Sequence, residues 1–239
     1  MHIVAHRGNH DTHTAPENTL AATMAAWQTG VDSVEVDVRL SKDTRIVLMH
    51  DGHTGTTGEP DIPVGESTLA QLRRCTITGR GNRAAPGFPV ATLDEIIEAV
   101  PPGKSLYLDI KEDMQGIGRL LRELRKKRYP ARSAFIGFSA PVMAAVKKAF
   151  PQNPAYLLFE AIDVRMAIEQ ARAAALDGID VQALDSVDGD FALATTGSGL
   201  QLHVWGVKDE ECVRRMLTLG VCSMTTDRPG MVRAVIGDQ

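Results

Sequence analysis

The chain has 239 residues, 44% of them hydrophobic, with 26 basic against 30 acidic side chains and a formal net charge of −4. That length supports one sizeable core or two small ones and excludes a disulfide-stapled miniprotein. A pI near 6.0, with no basic arm longer than the short run at residues 125–128, leaves no general electrostatic reason to bind nucleic acid or an anionic membrane.

In chain order, residues 3–5 read as a strand and 16–29 as a helix, with Pro16 in its first turn and Gly30 just past its end. Residues 34–40 and 46–49 are strand-like. After a loop come helix 92–100, strand 106–110, helix 116–127, strand 134–138, helix 141–150, strand 155–159 and helix 163–176. Strand 179–181, a weaker segment near Phe191, strand 200–205, helix 209–217, strand 221–224 and a last helix from Arg228 complete the series. Repeated strand, helix, strand means parallel strands with right-handed crossovers. About eight such units favour a closed (β/α)₈ TIM barrel over an open doubly wound sheet. The latter would want Gly-x-Gly-x-x-Gly after the first strand, where Arg7-Gly8-Asn9-His10 stands.

Residues 52–90 break the rhythm. They hold seven of the 21 glycines and four of the 12 prolines, so they read as a loop-rich insertion with one short helix at 69–73. Such a segment is either a tolerated surface excursion or a lid beside the site. No linker or repeat divides the rest, so one domain over residues 1–239 is expected. Cys75, Cys212 and Cys222 are scattered and odd in number, which reads as reduced thiols in a cytoplasmic protein. The opening MHIVAHRG contains no apolar h-region, and no window nears the ~20 apolar residues of a bilayer span. A small-molecule partner without membrane insertion follows, as monomer or dimer.

Six of the seven histidines, His2, His6, His10, His13, His50 and His53, fall in the first 53 residues, which directs attention to the front of the chain. In a parallel barrel the carboxyl ends of the strands face the active site. His6-Arg7-Gly8 ends the first strand, placing an imidazole beside a cation and a glycine that permits close backbone approach. Because side chains alternate along a strand, Val34, Val36 and Val38 share one face and Glu35, Asp37 and Arg39 the other. Two carboxylates ~7 Å apart on an inward face repel unless a cation compensates, and a hard divalent ion does so economically. The alternative is an edge strand with a solvated acidic face. The strand at 46–49 ends in His50-Asp51. Strand 106–110 repeats the alternation, with Tyr107, Asp109 and Lys111 opposite Leu106, Leu108 and Ile110; an internal Asp–Lys pair is its plainer reading. Together two histidines, three carboxylates, an arginine and a lysine describe a phosphodiester held by a cation and attacked with general acid and base help.

These residues resemble the glycerophosphodiester phosphodiesterase family. The matching segments are AHRG from Ala5, APENT from Ala15, EVDVRLSKD from Glu35, the His50-Asp51 pair, PVATLDEII from Pro89, LDIK from Leu108, Trp205 in HVWGV and TTDRP from Thr225. They stand in the family's order along nearly the whole chain. The resemblance implies a (β/α)₈ barrel that hydrolyses glycerophosphodiesters, such as glycerophosphocholine or glycerophosphoethanolamine, to sn-glycerol 3-phosphate and an alcohol with one bound Mg²⁺ or Ca²⁺. It implies His6 and His50 as the acid/base pair, Glu35, Asp37 and Asp109 as metal carboxylates, and Arg7 and Lys111 on the phosphate. Glu17 and Asn18, supporting the first loop, and Trp205, on the glycerol side, complete the substrate-binding set. The third carboxylate is usually Glu in the family and is Asp109 here, and Gly206 replaces a common polar residue. His10 and His13 have no family role and read as loop histidines. The insertion lies where the family carries its own, which favours the lid. A lysophospholipase D or sphingomyelinase D-like activity is the alternative on the same barrel, although that group is typically exported and disulfide-bonded. A non-catalytic phosphate-sugar binding module would lack an acid/base residue, and both histidines are present.

Overall fold

A computed structural model of the chain describes residues 1–10, 15–80, 87–130 and 132–237. His13 and residues 81–86 of the insertion lie outside them. The elements are β1 (His2–Ala5), α1 (Leu20–Gln28), β2 (Ser33–Leu40), β3 (Ile46–Leu48), β4 (Gly58–Glu59), α2 (Leu69–Leu72), β5 (Thr76–Ile77), α3 (Leu93–Glu98), β6 (Ser105–Ile110) and α4 (Ile117–Leu124). They continue as β7 (Ala134–Gly137), α5 (Ala140–Ala149), β8 (Ala155–Phe159), α6 (Val164–Ala173), β9 (Gly178–Gln182), α7 (Gly189–Gly197), β10 (Gln201–Trp205), α8 (Glu210–Thr218), β11 (Ser223–Thr226) and α9 (Pro229–Gly237).

Eight strands, β1, β2 and β6 through β11, pair in parallel, and β1 closes the sheet by pairing with both β11 and β2. The expected (β/α)₈ barrel is therefore formed. The strand at 46–49 corrects the parallel rhythm: β3 runs antiparallel to the end of β2, with Val38 opposite Leu48 and Leu40 opposite Ile46. The residues between these strands are too few for a crossover helix, so only a hairpin connects them. Ser41 N–H donates to the Arg45 carbonyl at 2.9 Å within that turn.

The two faces of the barrel strands divide as alternation demands. Val34, Val36 and Val38 join Leu106, Leu108 and Ile110 against Leu93, Ile96, Ile117 and Leu120 of the surrounding helices. Each fully buried aliphatic side chain contributes roughly 1.5–3 kcal/mol, so this outer layer holds the barrel together. Inside, Val4, Tyr107, Ile136, Tyr156 and Leu158 fill the middle. Below them His203 bonds Ser223 at 2.7 Å, while Ser33 bonds both His2 at 2.8 Å and Ser105 at 2.5 Å. The one histidine outside the front of the chain, His203, is thus a satisfied core residue, and burial draws its pKa down to about 3.

The helix expected over 16–29 begins at Leu20, because Asn18 adopts a left-handed backbone (φ 58°) and Thr19 caps the helix by accepting the Ala22 N–H. The segment near Phe191, weak in the sequence, is a full helix whose first turn Asp188 caps. In the insertion, β4 and β5 pair antiparallel and α2 begins with a Thr68–Gln71 capping box. Met49, Val64, Leu72, Cys75, Ile77 and Val90 pack into a small apolar cluster there.

Gly8 sits at φ 91°, and a Cβ on it would lie 2.6 Å from the Ala22 carbonyl carbon. Close approach of the first loop to α1 therefore requires glycine. Replacing Gly8 with Ala is expected to cost roughly 2–4 kcal/mol through strain and overpacking, measured by urea denaturation. A loss below about 0.5 kcal/mol, the range of ordinary surface changes, would refute the close-packing account.

Candidate active site

The carboxyl ends of β1, β2 and β6 meet at the barrel mouth. Asp37 and Asp109 stand directly opposite in the β2–β6 register. One carboxylate oxygen each from Glu35, Asp37 and Asp109 lies within 4.8 Å of the other two, and all three side chains are buried. Two cations face this charge. Lys111 Nζ lies 2.6 Å from Asp109 Oδ2 and 3.1 Å from Asp37 Oδ1, and Arg7 Nε lies 3.0 Å from Asp37 Oδ2. Three carboxylates against two cations leave the cluster short of positive charge, and the titration directions show where. Burial, then the neighbouring Asp37 and Asp109, push Glu35 well above the usual carboxylate range. Burial also raises Asp109, to about 6, against the pull of Lys111. Asp37 is lowered, since Lys111 and Arg7 together outweigh its burial.

Buried oxygens of Glu35 (Oε1) and Asp109 (Oδ1) have no hydrogen-bond partner among the described residues. Oxygens converging from three carboxylates, two of them with an unpaired oxygen, are the donor set of a hard divalent cation. The shorter Asp109 still reaches the cluster, so its departure from the family's usual Glu does not remove it. These residues fit the expected Mg²⁺ or Ca²⁺.

The first loop locks the cluster from behind. Arg7, itself at φ 52°, donates its backbone N–H to Glu35 Oε2 at 2.9 Å and its guanidinium to Glu17 Oε1 at 2.7 Å. Asn18 and Asp37 bond reciprocally, Asn18 Nδ2 to Asp37 Oδ2 at 2.6 Å and Asp37 N–H to Asn18 Oδ1 at 3.0 Å. Glu17 and Asn18 thus support Arg7 and Asp37 from a buried position and do not line the main pocket. Arg39, on the same strand face, spends its guanidinium on the carbonyls of His50 and Lys111. That fork fixes the ends of β3 and β6 side by side.

A cavity of about 260 Å³ opens above the cluster, and its wall includes His6, Arg7, His50, Lys111 and Trp205. Each of these histidines is oriented by a carboxylate. His6 Nδ1 lies 2.6 Å from Asp227 Oδ1, and His50 Nδ1 lies 2.7 Å from Asp51 Oδ1. Asp51 is lowered to about 2 because hydrogen bonds from Thr56 and His50 outweigh its burial, and Asp227 is likewise held below the usual range by His10 and His6. An ionised carboxylate only accepts, so Nδ1 of each ring carries the proton and Nε2 is the proton-accepting atom. Burial also lowers the His50 pKa, which favours that neutral form at pH 7. His6 Nε2 lies 4.0 Å from Glu35 Oε2.

Several residues of the mouth escaped the sequence reading. Asp227 stood in TTDRP and Asp51 in the His50-Asp51 pair without a role, and alternation in Gly178–Gln182 would have placed Asp180 inward like Asp109. Arg80 had no local signal; it reaches from the insertion to Glu17 at 3.0 Å. Asp180 lines the cavity, is fully buried, and neither of its oxygens has a hydrogen-bond partner among the described residues.

No serine or cysteine stands in the cavity wall among the described residues. The mouth thus sets two imidazoles capable of acid and base work beside cations suited to an anionic substrate, as a barrel hydrolase would require. A model of the Glycerophosphoryl diester phosphodiesterase family matches residues 6–231. The chain belongs to that family and is an enzyme, a phosphoric diester hydrolase acting on glycerophosphodiesters. It is 27% identical over 241 residues to the glycerophosphodiester phosphodiesterase of Caldanaerobacter subterraneus subsp. tengcongensis, covering 95% of this chain and 94% of that protein. The crystal structure of a glycerophosphodiester phosphodiesterase from Agrobacterium tumefaciens superposes with a TM-score of 0.79 at 24% identity, covering 98% of this chain and 99% of that one. An Oleispira antarctica phosphodiesterase, solved in complex with the product sn-glycerol-3-phosphate, gives a TM-score of 0.85 at 22% identity, covering 99% and 97%. Among the described residues no helix is long and apolar enough to cross a membrane.

Burial, with Asp109 adding, raises Asp180 from 3.8 to about 8. Between those values the unfolded chain ionises this carboxyl and the native state does not, so native stability falls as pH rises through the window, by at most about 1.4 kcal/mol per pH unit. Asp180→Asn, which does not ionise, is expected to be more stable than wild type near neutral pH, with the difference shrinking toward about pH 4. Denaturation curves across pH measure this, and a pH-independent difference would show that the carboxyl is paired.

Proposed function

We propose that this enzyme is a metal-dependent phosphodiesterase that releases sn-glycerol 3-phosphate from glycerophosphodiesters such as glycerophosphocholine or glycerophosphoethanolamine. The observation that carries the reading is the pair of imidazoles, each held at Nδ1 by an ionised carboxylate, lining one cavity with unpaired carboxylate oxygens. The product bound by the Oleispira antarctica phosphodiesterase supports the same substrate half.

Glu35, Asp37 and Asp109 would hold one Mg²⁺ or Ca²⁺. When bound, that ion neutralises phosphate charge and stabilises the developing negative oxygens. His6 and His50 divide the proton transfers: one Nε2 takes the proton of the attacking water, and the other imidazole, entering protonated, returns a proton to the leaving alcohol oxygen. Asp227 and Asp51 hold the rings in register and stabilise the imidazolium that forms. Lys111 and Arg7 balance the carboxylates and bring positive charge to the phosphate side of the cavity. Trp205, its indole N–H fixed to the Phe159 carbonyl at 3.1 Å, presents an apolar wall to the carbon chain of the substrate.

His6→Ala or His50→Ala is expected to lower kcat by ~10²–10⁴-fold, read as glycerol 3-phosphate release from glycerophosphocholine. Near-normal turnover would refute the acid/base assignment. Thorough EDTA treatment should abolish activity and added Mg²⁺ or Ca²⁺ restore it, while unchanged activity without metal would remove the role given to Glu35, Asp37 and Asp109. Hydrolysis of lysophosphatidylcholine in preference to glycerophosphocholine would favour the lysophospholipase D reading instead.

A further inference from the structure

The mouth holds a second group of metal-ligating atoms, apart from the buried carboxylates, that the proposed mechanism uses only in part. Asp227 follows β11 directly, and its Oδ1 lies 2.6 Å from His6 Nδ1 and 3.2 Å from His10 Nε2. One ligand atom from each of these three residues falls within 4.8 Å of the others. His10 has no task in the reaction, yet its ring converges on the same carboxylate oxygen as His6. We propose that His6, His10 and Asp227 form a second cation site, selective for a borderline transition ion such as Zn²⁺, whose occupation switches the enzyme off by capturing His6.

The donor chemistry separates the two sites. Three carboxylates suit a hard ion, whereas two imidazole nitrogens and one carboxylate oxygen suit zinc or its neighbours. Zinc ligands at ordinary bond lengths lie roughly 3–3.5 Å from one another. The 3.2 Å and 2.6 Å separations need little or modest widening to meet that. Access also differs. The side chains of His6, His10 and Asp227 are 31%, 20% and 59% exposed, so an ion arrives from solvent and keeps room for water as a fourth ligand, while Glu35 and Asp37 are 2% and 1% exposed.

Capture would act on the reaction through one atom. Zinc takes the Nδ1 lone pair of the neutral ring, so the proton now donated to Asp227 moves to Nε2, which then has no lone pair to accept one, and the ring is held away from the hydrogen bond that orients it. The ring stays neutral: its N–H bond shifts from Nδ1 to Nε2, and the zinc bond replaces the hydrogen bond to Asp227. This inhibitory consequence rests on the proposed acid/base role of His6, but binding itself does not.

The test uses the full chain with its carboxylate site saturated by Mg²⁺. Co²⁺ added to wild type is expected to give the visible bands of a nitrogen-containing site at one ion per chain, and His10→Ala to lose them. Zn²⁺ is expected to inhibit glycerophosphocholine hydrolysis by wild type at concentrations at least about tenfold below those needed for His10→Ala. Should His10→Ala fold poorly, His10→Gln serves, and a zinc-dependent rise in Tm confined to wild type reports binding independently. Equal zinc sensitivity with unchanged Co²⁺ bands would overturn the site. Bands that depend on His10 without inhibition would overturn the switch. Bands that depend on His10 in a protein that releases no glycerol 3-phosphate would instead refute the proposed activity and leave the second site standing.

Discussion

Glu35, Asp37 and Asp109 are forced together by the barrel itself. β2 and β6 are adjacent parallel strands in register, so Asp37 has to meet Asp109, and Glu35, two residues earlier on the same inward face of β2, joins them with little access to water. An uncompensated group of this kind would cost several kcal/mol per buried charge. Much of the surrounding structure answers that constraint: Lys111 comes from β6's own end, Arg7 from the left-handed first loop and Asn18 from the turn before α1, and the oxygens left unpaired among the described residues are a donor set that would suit a cation. Gly8 permits the loop to approach α1, and the loop in turn aims the Arg7 side chain.

The same economy shapes the two histidines. An imidazole becomes a directed base only when one nitrogen is committed, and Asp51 and Asp227 each commit Nδ1. The two aspartates differ in company. Asp51 serves His50 beside the insertion, while Asp227 is shared by His6 and His10. Sharing creates a nitrogen-rich, exposed group next to an oxygen-rich, buried one. If both proposed sites bind, their opposite ligand preferences would let one mouth accept an activating ion and respond to an inhibiting one.

Much of the fold was legible because its causes are local and periodic. Valines at 34, 36 and 38 alternating with Glu35 and Asp37 announce a strand buried on both faces, and the same pattern at 106–110 announces its neighbour. The antiparallel turn of β3 was less legible, since an apolar run reads alike in either direction and only the short connection decides. The late start of α1 depends on Asn18 reaching Asp37, nineteen positions away. In the candidate site, the residues at strand ends were found, but their partners across the mouth were not: Asp227 lies far along the chain from His6, and Arg80 reaches Glu17 from the insertion.

Alternation, strand-helix rhythm and the kinds of side chain at strand ends were determined by the sequence alone, because each expresses the energetics of a few consecutive residues. Composition left no general electrostatic reason to bind nucleic acid or an anionic membrane, and the front-loaded histidines directed attention to the first strands. Only closure of the barrel decided which groups share a proton or a charge. It brought β11 beside β1, so that Asp227 orients His6. It also set Arg39 against two backbone carbonyls, and left Asp180 buried without a hydrogen-bond partner among the described residues. Hydrogen bonds and Coulomb energies depend on distances in space, and chain order does not contain those distances until the sheet has closed.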